Sequence, residues 1–168
     1  MIRRSIVSLA SLAWSFGVVA LVLRHMPATP QPPVTPILQS STPVDMAINI
    51  LQNAERFSSA GVGYAGITPN EVMAWRVLFF RADADSTFQN LLETATPAGQ
   101  LYALAGLRFR NDVVFARAAA RFEGRLDRVQ TVRGCIVGAS TVGELVAEIG
   151  KGDWVRDYLR GSEYPRLR

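Results

Sequence analysis

The chain has 168 residues, 49% of them hydrophobic, which is enough for one domain that folds without a metal or a disulfide. Its single cysteine excludes an internal disulfide, and its single histidine, His25, excludes histidine triads and histidine metal sites from the folded part. The formal net charge of +4 does not indicate a nucleic-acid binder. Three of the 18 basic residues, Arg3, Arg4 and Arg24, lie in an N-terminal segment without acids, and the remainder nearly balances the 14 acidic residues. We expect no nucleic acid among the partners.

The N-terminal segment is typical of a membrane anchor. Arg3 and Arg4 precede an uncharged stretch, residues 5–23, which as a helix spans about 28 Å, close to the ~30 Å hydrocarbon core of a bilayer. Positive charge before the stretch favours a cytoplasmic N-terminus. The stretch is long for a cleaved signal, and Arg24 to Pro27 occupy the place of a small-x-small cleavage site.

We therefore predict a membrane anchor or signal segment over residues 1–26, most simply a retained single span. Residues 5–23 contact the membrane, the N-terminus is cytoplasmic, and the domain lies on the extracytoplasmic (periplasmic) side of a bacterial envelope. The alternative is secretion after signal cleavage.

Prolines dominate the next segment. Proline lacks a backbone donor and cannot sustain helix or sheet pairing, so the segment behaves as an extended spacer of about 3.1 Å per residue. We predict a Pro-rich linker at residues 27–42, a helical domain at 43–160 and a C-terminal tail at 161–168. Six of the nine prolines fall within residues 27–43, the linker and the first residue after it: Pro27, Pro30, Pro32, Pro33, Pro36 and Pro43.

A threonine–proline pair stands at three predicted helix starts. Threonine caps a free backbone N–H, and proline fits the first helical position, where its missing donor costs nothing. An acid three residues after the threonine completes a capping box at the first two starts. The apolar residues that follow recur at helical spacing. The pairs are Thr42-Pro43, Thr68-Pro69 and Thr96-Pro97, and the acids are Asp45 and Glu71.

The last two pairs each open a helix, a short turn and a second helix. Asp85 or Ser86 begins the second helix of one unit, and Asp112 begins that of the other, which Gly124 ends. With these features, the segment from about 69 to 124 resembles stacked α-hairpins of the HEAT-like kind. An irregular helical domain is the alternative.

After Arg128 the pattern changes from helical to alternating. Val129, Thr131 and Arg133 alternate with their neighbours, which predicts one or two short β-strands near 128–137. A further capping box, Thr141 with Glu144, opens a helix before Gly150, and Asp153 starts a last short helix. The fold class is therefore mainly α, with a single-span anchor and a small helical, α-hairpin-like domain.

Gly61, Gly63 and Gly66 spell the G-x-G-x-x-G pattern of dinucleotide-binding loops. Such a site needs a strand before the glycines, whereas a helix ending near Phe57 is predicted there. We interpret the glycines as a flexible loop between helices and expect no cofactor.

Cys135 is followed by the apolar residues Ile136 and Val137 and has no imidazole partner in the domain. A cysteine in apolar surroundings without an activating base is typical of a structural position. We interpret it as a buried structural cysteine.

One cluster of charge suggests a binding surface. Arg117, Arg121, Arg125 and Arg128 follow helical spacing, while the segment from 144 to 163 is locally acidic. The arginines either balance acids within the domain or form a docking face for an acidic protein or an anionic envelope polymer, since arginine suits bidentate contacts.

These features favour a non-enzymatic, membrane-tethered protein-interaction or scaffold module of the cell envelope. The alternative is an envelope hydrolase that uses carboxylates of the C-terminal segment, Glu144, Glu148, Asp153 and Asp157. A third hypothesis is a structural element of a membrane complex, in which the anchor itself makes the contact. The sequence does not indicate an oligomeric state.

Overall fold

The structure is a computed structural model that describes residues 42–159. The predicted membrane segment at residues 5–23, most of the linker and the tail at 161–168 lie outside the described residues. No helix within residues 42–159 is both long enough and apolar enough to cross a membrane.

This part of the chain is mainly helical with a small three-stranded sheet, as the sequence predicts in coarse form. The elements follow in the order α1 (Pro43–Gln52), β1 (Arg56–Val62), α2 (Asn70–Phe79), α3 (Ala84–Thr94), α4 (Pro97–Arg110), α5 (Asp112–Ala119), β2 (Arg128–Gly134), β3 (Ile136–Thr141), α6 (Val142–Gly150) and α7 (Asp153–Tyr158).

Three helix starts form as the sequence predicts. Thr42 before α1 and Thr141 before α6 each complete a capping box, with Asp45 and Glu144 respectively. The Thr96 side chain accepts a hydrogen bond from the backbone N–H of Gly99 at the start of α4. In each case the contact lies within four residues, so the local sequence is sufficient to specify it.

The predicted capping box at Thr68 is wrong. Helix α2 begins at Asn70, and the residue in the cap position is Pro69, which has no side-chain hydrogen bond to offer. Glu71, the predicted partner of Thr68, instead forms an ion pair with Arg56 of β1. A tertiary contact has replaced the local one.

The sheet has the order β1-β2-β3, with β1 parallel to β2 and β2 antiparallel to β3. Strand β2 lies where the sequence predicts strands, and β3 extends beyond the predicted range to Thr141. Strand β1 was not predicted; its Phe57 lies in a strand, so the prediction of a helix ending near Phe57 is wrong. The first helix ends at Gln52.

Helix α4 is the centre of the core. Its residues 101–107 are all buried, because α3, α5, α6 and β1 pack around it. A helix that is apolar on every side is typical of such a central position. Its Tyr102 joins a buried aromatic cluster with Phe57, Trp75 and Tyr158, which ties the sheet to α2 and α7. Each such side chain contributes about 1.5–3 kcal/mol by burial.

Candidate functional site

The two faces of the sheet have different environments. Phe57 of β1 and Val129 of β2 point to the core, where Trp154 of α7 packs on Phe57 with ring centroids 4.4 Å apart. Because side chains alternate along a strand, Arg56 and Ser58 point to the opposite side. We call that side the open face.

A row of register partners crosses the open face. Ser58 of β1 lies beside Val132 of β2, and Val132 lies beside Val137 of β3. Ser58 is buried, Val132 is half-buried and Val137 is 64% exposed. Along this row the side chains become steadily more exposed from β1 to β3.

The outer edge of β3 presents backbone groups that no described element pairs with. The backbone N–H of Val142 donates to the carbonyl oxygen of Asp127, so these two residues are a hydrogen-bonded pair of the antiparallel strands. Hydrogen-bonded pairs recur at every second residue, so the backbone groups of residues 136, 138 and 140 face β2. Val137 and Ala139 therefore direct their N–H and C=O groups outward. The N–H of Thr141, which also faces outward, donates to the Glu144 carboxylate at 2.8 Å.

Strand β3 lacks the features that usually protect a sheet edge. Its sequence, IVGAST, has no charged residue and no proline, and Ile136 is 74% exposed. Natural edge strands are normally blocked by charges, prolines or a covering element, because a bare edge pairs with other chains. The β3 edge is a surface of the kind that accepts an added strand.

The opposite edge of the sheet is sealed inside the protein. The backbone N–H of Ser58 donates to the Tyr102 hydroxyl at 2.9 Å, and the Tyr158 hydroxyl donates to the Ser58 carbonyl oxygen at 2.7 Å. These two phenols take the place of a fourth strand. Burial is the largest cause that raises the pKa of each tyrosine above its ordinary value, so both stay neutral at physiological pH.

A cavity of about 580 Å³ opens on the β1 side of the open face. It lies between the C-terminal end of α1, the turn after β1 and the first residues of α2, and its volume is within the usual range for ligand sites. Its polar walls come from residues that the sequence did not single out as a site. They include Asn49, Asn53, Arg56, Ser58, Thr68 and Glu71.

Of the two carboxylates that line this cavity, Glu55 and Glu71, the second forms an ion pair with Arg56 of the same wall. The Glu71 side chain is only 14% exposed, and its ion pair with Arg56 is long, with the Nε atom 3.5 Å from Oε1. The Arg56 side chain is itself 53% exposed. Glu71 also lies close enough to raise the pKa of both Tyr102 and Tyr158 as a lesser cause after burial.

The four predicted docking arginines do not share a helix. Arg117 lies in α5, which ends at Ala119; Arg121 lies in the turn that follows, Arg125 in a loop, and Arg128 begins β2. The helical spacing that suggested one stripe is therefore not realised.

Two of these arginines are engaged within the domain. The two terminal guanidinium nitrogens of Arg121, Nη1 and Nη2, donate to the Glu93 carboxylate at 2.7 and 3.1 Å. Arg125 binds Asp127 at 2.8 Å and the Gln100 side chain at 2.7 Å. Arg117 and Arg128 are exposed, and neither has an ion pair with any residue between 42 and 159.

Two of the four acidic C-terminal residues, Glu144 and Glu148, are occupied by structural contacts, while the side chain of Asp153 lies outside the described part of the structure. Glu144 completes its capping box, which lowers the pKa of its carboxyl group through the backbone hydrogen bond at Thr141. Glu148 accepts hydrogen bonds from Arg133 and from the Trp154 indole, both at 2.8 Å. The hydrolase alternative requires carboxylates that face a substrate, and these contacts do not favour it.

The glycine motif forms a turn. Strand β1 precedes Gly63 and Gly66 and contains Gly61, which corrects the prediction of a helix there. Gly63 and Gly66 have positive φ values, and the turn is closed by paired hydrogen bonds between Val62 and Ile67. Helix α2 begins only at Asn70, so the glycines do not lead directly into a helix as in a dinucleotide loop.

The prediction of a buried Cys135 is wrong. The residue is exposed, in the tight connection between β2 and β3 that Gly134 makes with a φ of 59°. The apolar neighbours that suggested burial, Ile136 and Val137, begin the exposed edge strand.

No protein-family model matches the chain, and neither a curated protein nor a solved structure shows significant similarity to it.

Proposed function

We propose that the protein is a non-enzymatic interaction module of the bacterial cell envelope, which binds an extended segment of another protein along the outer edge of β3. A single observation carries the proposal: Val137 and Ala139 direct backbone groups, which no residue between 42 and 159 pairs with, outward from a strand that has no charge and no proline. Main-chain hydrogen bonds supply affinity in strand addition, and the side chains that alternate along the added strand supply specificity.

The anchor and the linker belong to the same proposal. Residues 5–23 hold the module in the membrane, and residues 27–42 carry it on the extracytoplasmic side. The α-hairpin arrangement of residues 69–124 and its likeness to HEAT-like repeats are part of the proposal. Secretion after signal cleavage leaves the binding edge unchanged.

The proposed occupant is a segment of a partner protein that carries an acidic residue beside its apolar ones. Arg128 lies opposite Thr141 at one end of β3, and Arg133 lies opposite Ile136 at the other. Arg133 is paired with Glu148, whereas Arg128 is exposed and forms no ion pair within residues 42–159, although it lies near enough to Glu144 to help lower the pKa of that carboxyl group. A second copy of β3 contains no acid to meet Arg128, so a different, acidic segment fits better.

Site-specific photocrosslinking of the full chain in cells tests the proposal. A photoreactive phenylalanine analogue replaces Val137 in one variant and Val113 of α5, which is 70% exposed, in a control. We expect an adduct from position 137, absent from position 113, whose crosslinked peptides map to one extended segment of one protein.

A pair of second substitutions makes the test specific for backbone pairing. Ala139→Pro removes the outward N–H without touching the bonds to β2, and Ala139→Val retains it. The adduct should be lost with proline and kept with valine. An adduct that survives Ala139→Pro, or one formed with a second copy of this chain, contradicts the proposal.

A further inference from the structure

We propose that the cavity between α1, β1 and α2 binds a cationic nitrogen group, a guanidinium or an ammonium. The inference goes beyond strand addition and does not depend on it, because the cavity adjoins β1 whereas the proposed docking edge belongs to β3 at the other side of the sheet.

Glu71 is largely buried but only loosely paired. A carboxylate that is 14% exposed normally has close partners, since burial of an unpaired charge is costly. Among the ion pairs of residues 42–159, Glu71 takes part in one, with Arg56 at 3.5 Å, and the Arg56 side chain is 53% exposed. Glu71 also does not make the capping contact with Thr68 that the sequence predicts. A cation from outside the domain would give this carboxylate the short hydrogen bonds that it lacks.

The electrostatic field of the surrounding backbone also favours a cation in the cavity. The cavity is bordered by Asn49, Ile50 and Asn53 at the C-terminal end of α1, where the helix dipole is negative. The last turn of α1 has no basic residue to balance it. The positive N-terminal end of α2 is offset by Glu71 in its own first turn. With Glu55, Arg56 and Glu71 on the walls, the side-chain charge favours a cation.

The cavity is also lined by Ser58, whose buried hydroxyl has no hydrogen-bond partner among the described residues. Ser58 is 1% exposed, and its Oγ makes no hydrogen bond within residues 42–159. Strand alternation places its side chain on the same side as Arg56 and Val132, which also line the cavity. Buried hydroxyls are normally satisfied, so a donor bound in the cavity would supply the hydrogen bond that the described residues do not give to this Oγ.

Calorimetric titration of the full chain with agmatine and with Nα-acetyl-argininamide tests the inference. We expect both cations to bind with one site per chain, and sodium acetate not to bind. Glu71→Gln should weaken the binding at least tenfold. Glu123→Gln, which removes an equal charge from an exposed position elsewhere, should change it less than twofold.

Ser58→Ala separates binding from folding. Removal of an unpartnered hydroxyl should leave the stability of the chain unchanged or higher, while it lowers cation affinity severalfold. If an arginine-containing peptide binds more tightly than agmatine, the natural cation is a protein side chain. If agmatine binds more tightly, the natural cation is a free amine. Either result supports a cation site in this cavity. Absence of cation binding, stronger binding of acetate, or equal losses from Glu71→Gln and Glu123→Gln would overturn it.

Discussion

The Tyr158 hydroxyl donates a 2.7 Å hydrogen bond to the carbonyl oxygen of Ser58, a residue 100 positions earlier in the chain. Together with the Tyr102 hydroxyl, which accepts from the Ser58 N–H, it closes the β1 edge of the sheet. The protein thus seals one edge with two buried phenols, whereas no described element pairs with the β3 edge. This asymmetry is the basis for assigning strand addition to β3.

Tyr158→Phe should lower the free energy of unfolding by about 1–3 kcal/mol, because it leaves the buried Ser58 carbonyl without its hydrogen bond. Urea denaturation of the full chain measures the change. Tyr64→Phe is the control, since Tyr64 is fully exposed and its change should stay within about 0.5 kcal/mol. Equal effects of the two substitutions would show that the phenol does not stabilise the sheet edge.

Stability should fall steeply above pH 10. Burial raises the pKa of Tyr102 and of Tyr158 above the ordinary value of 10.0 in the folded chain. A group with a raised pKa contributes stability that is complete below the unfolded pKa and is lost as the pH rises toward the folded one.

Urea midpoints between about pH 8 and pH 12 measure this loss. The Tyr102→Phe variant should show a shallower decline than the wild-type chain above pH 10. Parallel declines would mean that other groups cause the alkaline unfolding.

Two glycines of α6 should respond oppositely to alanine. A Cβ atom at Gly143 would lie 2.3 Å from the carbonyl oxygen of Glu123, so Gly143→Ala should cost about 1–3 kcal/mol through forced backbone movement. At Gly150 the nearest atom is 4.0 Å away, on Phe115, and alanine should be neutral or stabilise by up to ~1 kcal/mol. Thermal unfolding of both variants checks the difference, and a stable Gly143→Ala variant would contradict the packing of α6 on the turn after α5.

The predicted arginine stripe should divide into structural and free members. Arg125 binds Asp127 and Gln100 and lies over the Phe122 ring, so Arg125→Ala should cost roughly 1 kcal/mol through lost packing and hydrogen bonds. Arg117→Ala should change the free energy of unfolding by less than about 0.5 kcal/mol. Urea denaturation of the two variants measures their free energies of unfolding. Equal losses of stability would contradict this division of the arginines.

Local signals in the sequence predicted what local contacts determine. Thr42, Thr96 and Thr141 begin helices because each cap needs only residues within the next turn. Strand β1 was missed because its pairing partner, β2, lies some 70 residues later, and a run of serine and alanine after Phe57 has no clear alternation.

The candidate sites were missed for the same reason. Glu71 matches a capping box in sequence, and only the fold brings it to Arg56. Cys135 has apolar neighbours, but they belong to an edge strand, so the inference from hydrophobicity to burial fails there. The departure of Glu71 from its predicted local role is a signal that a structure can supply and a sequence cannot.

The binding edge itself can be measured directly by amide hydrogen exchange in the full chain. If β3 is a free edge, the N–H groups of Val137 and Ala139 should exchange at least tenfold faster than those of Gly138 and Ser140, which face β2. A synthetic peptide of the segment crosslinked at position 137 should then slow the two fast amides to the rates of their neighbours. Uniform protection along β3 in the free chain, or fast exchange that the peptide leaves unchanged, would contradict strand addition at this edge.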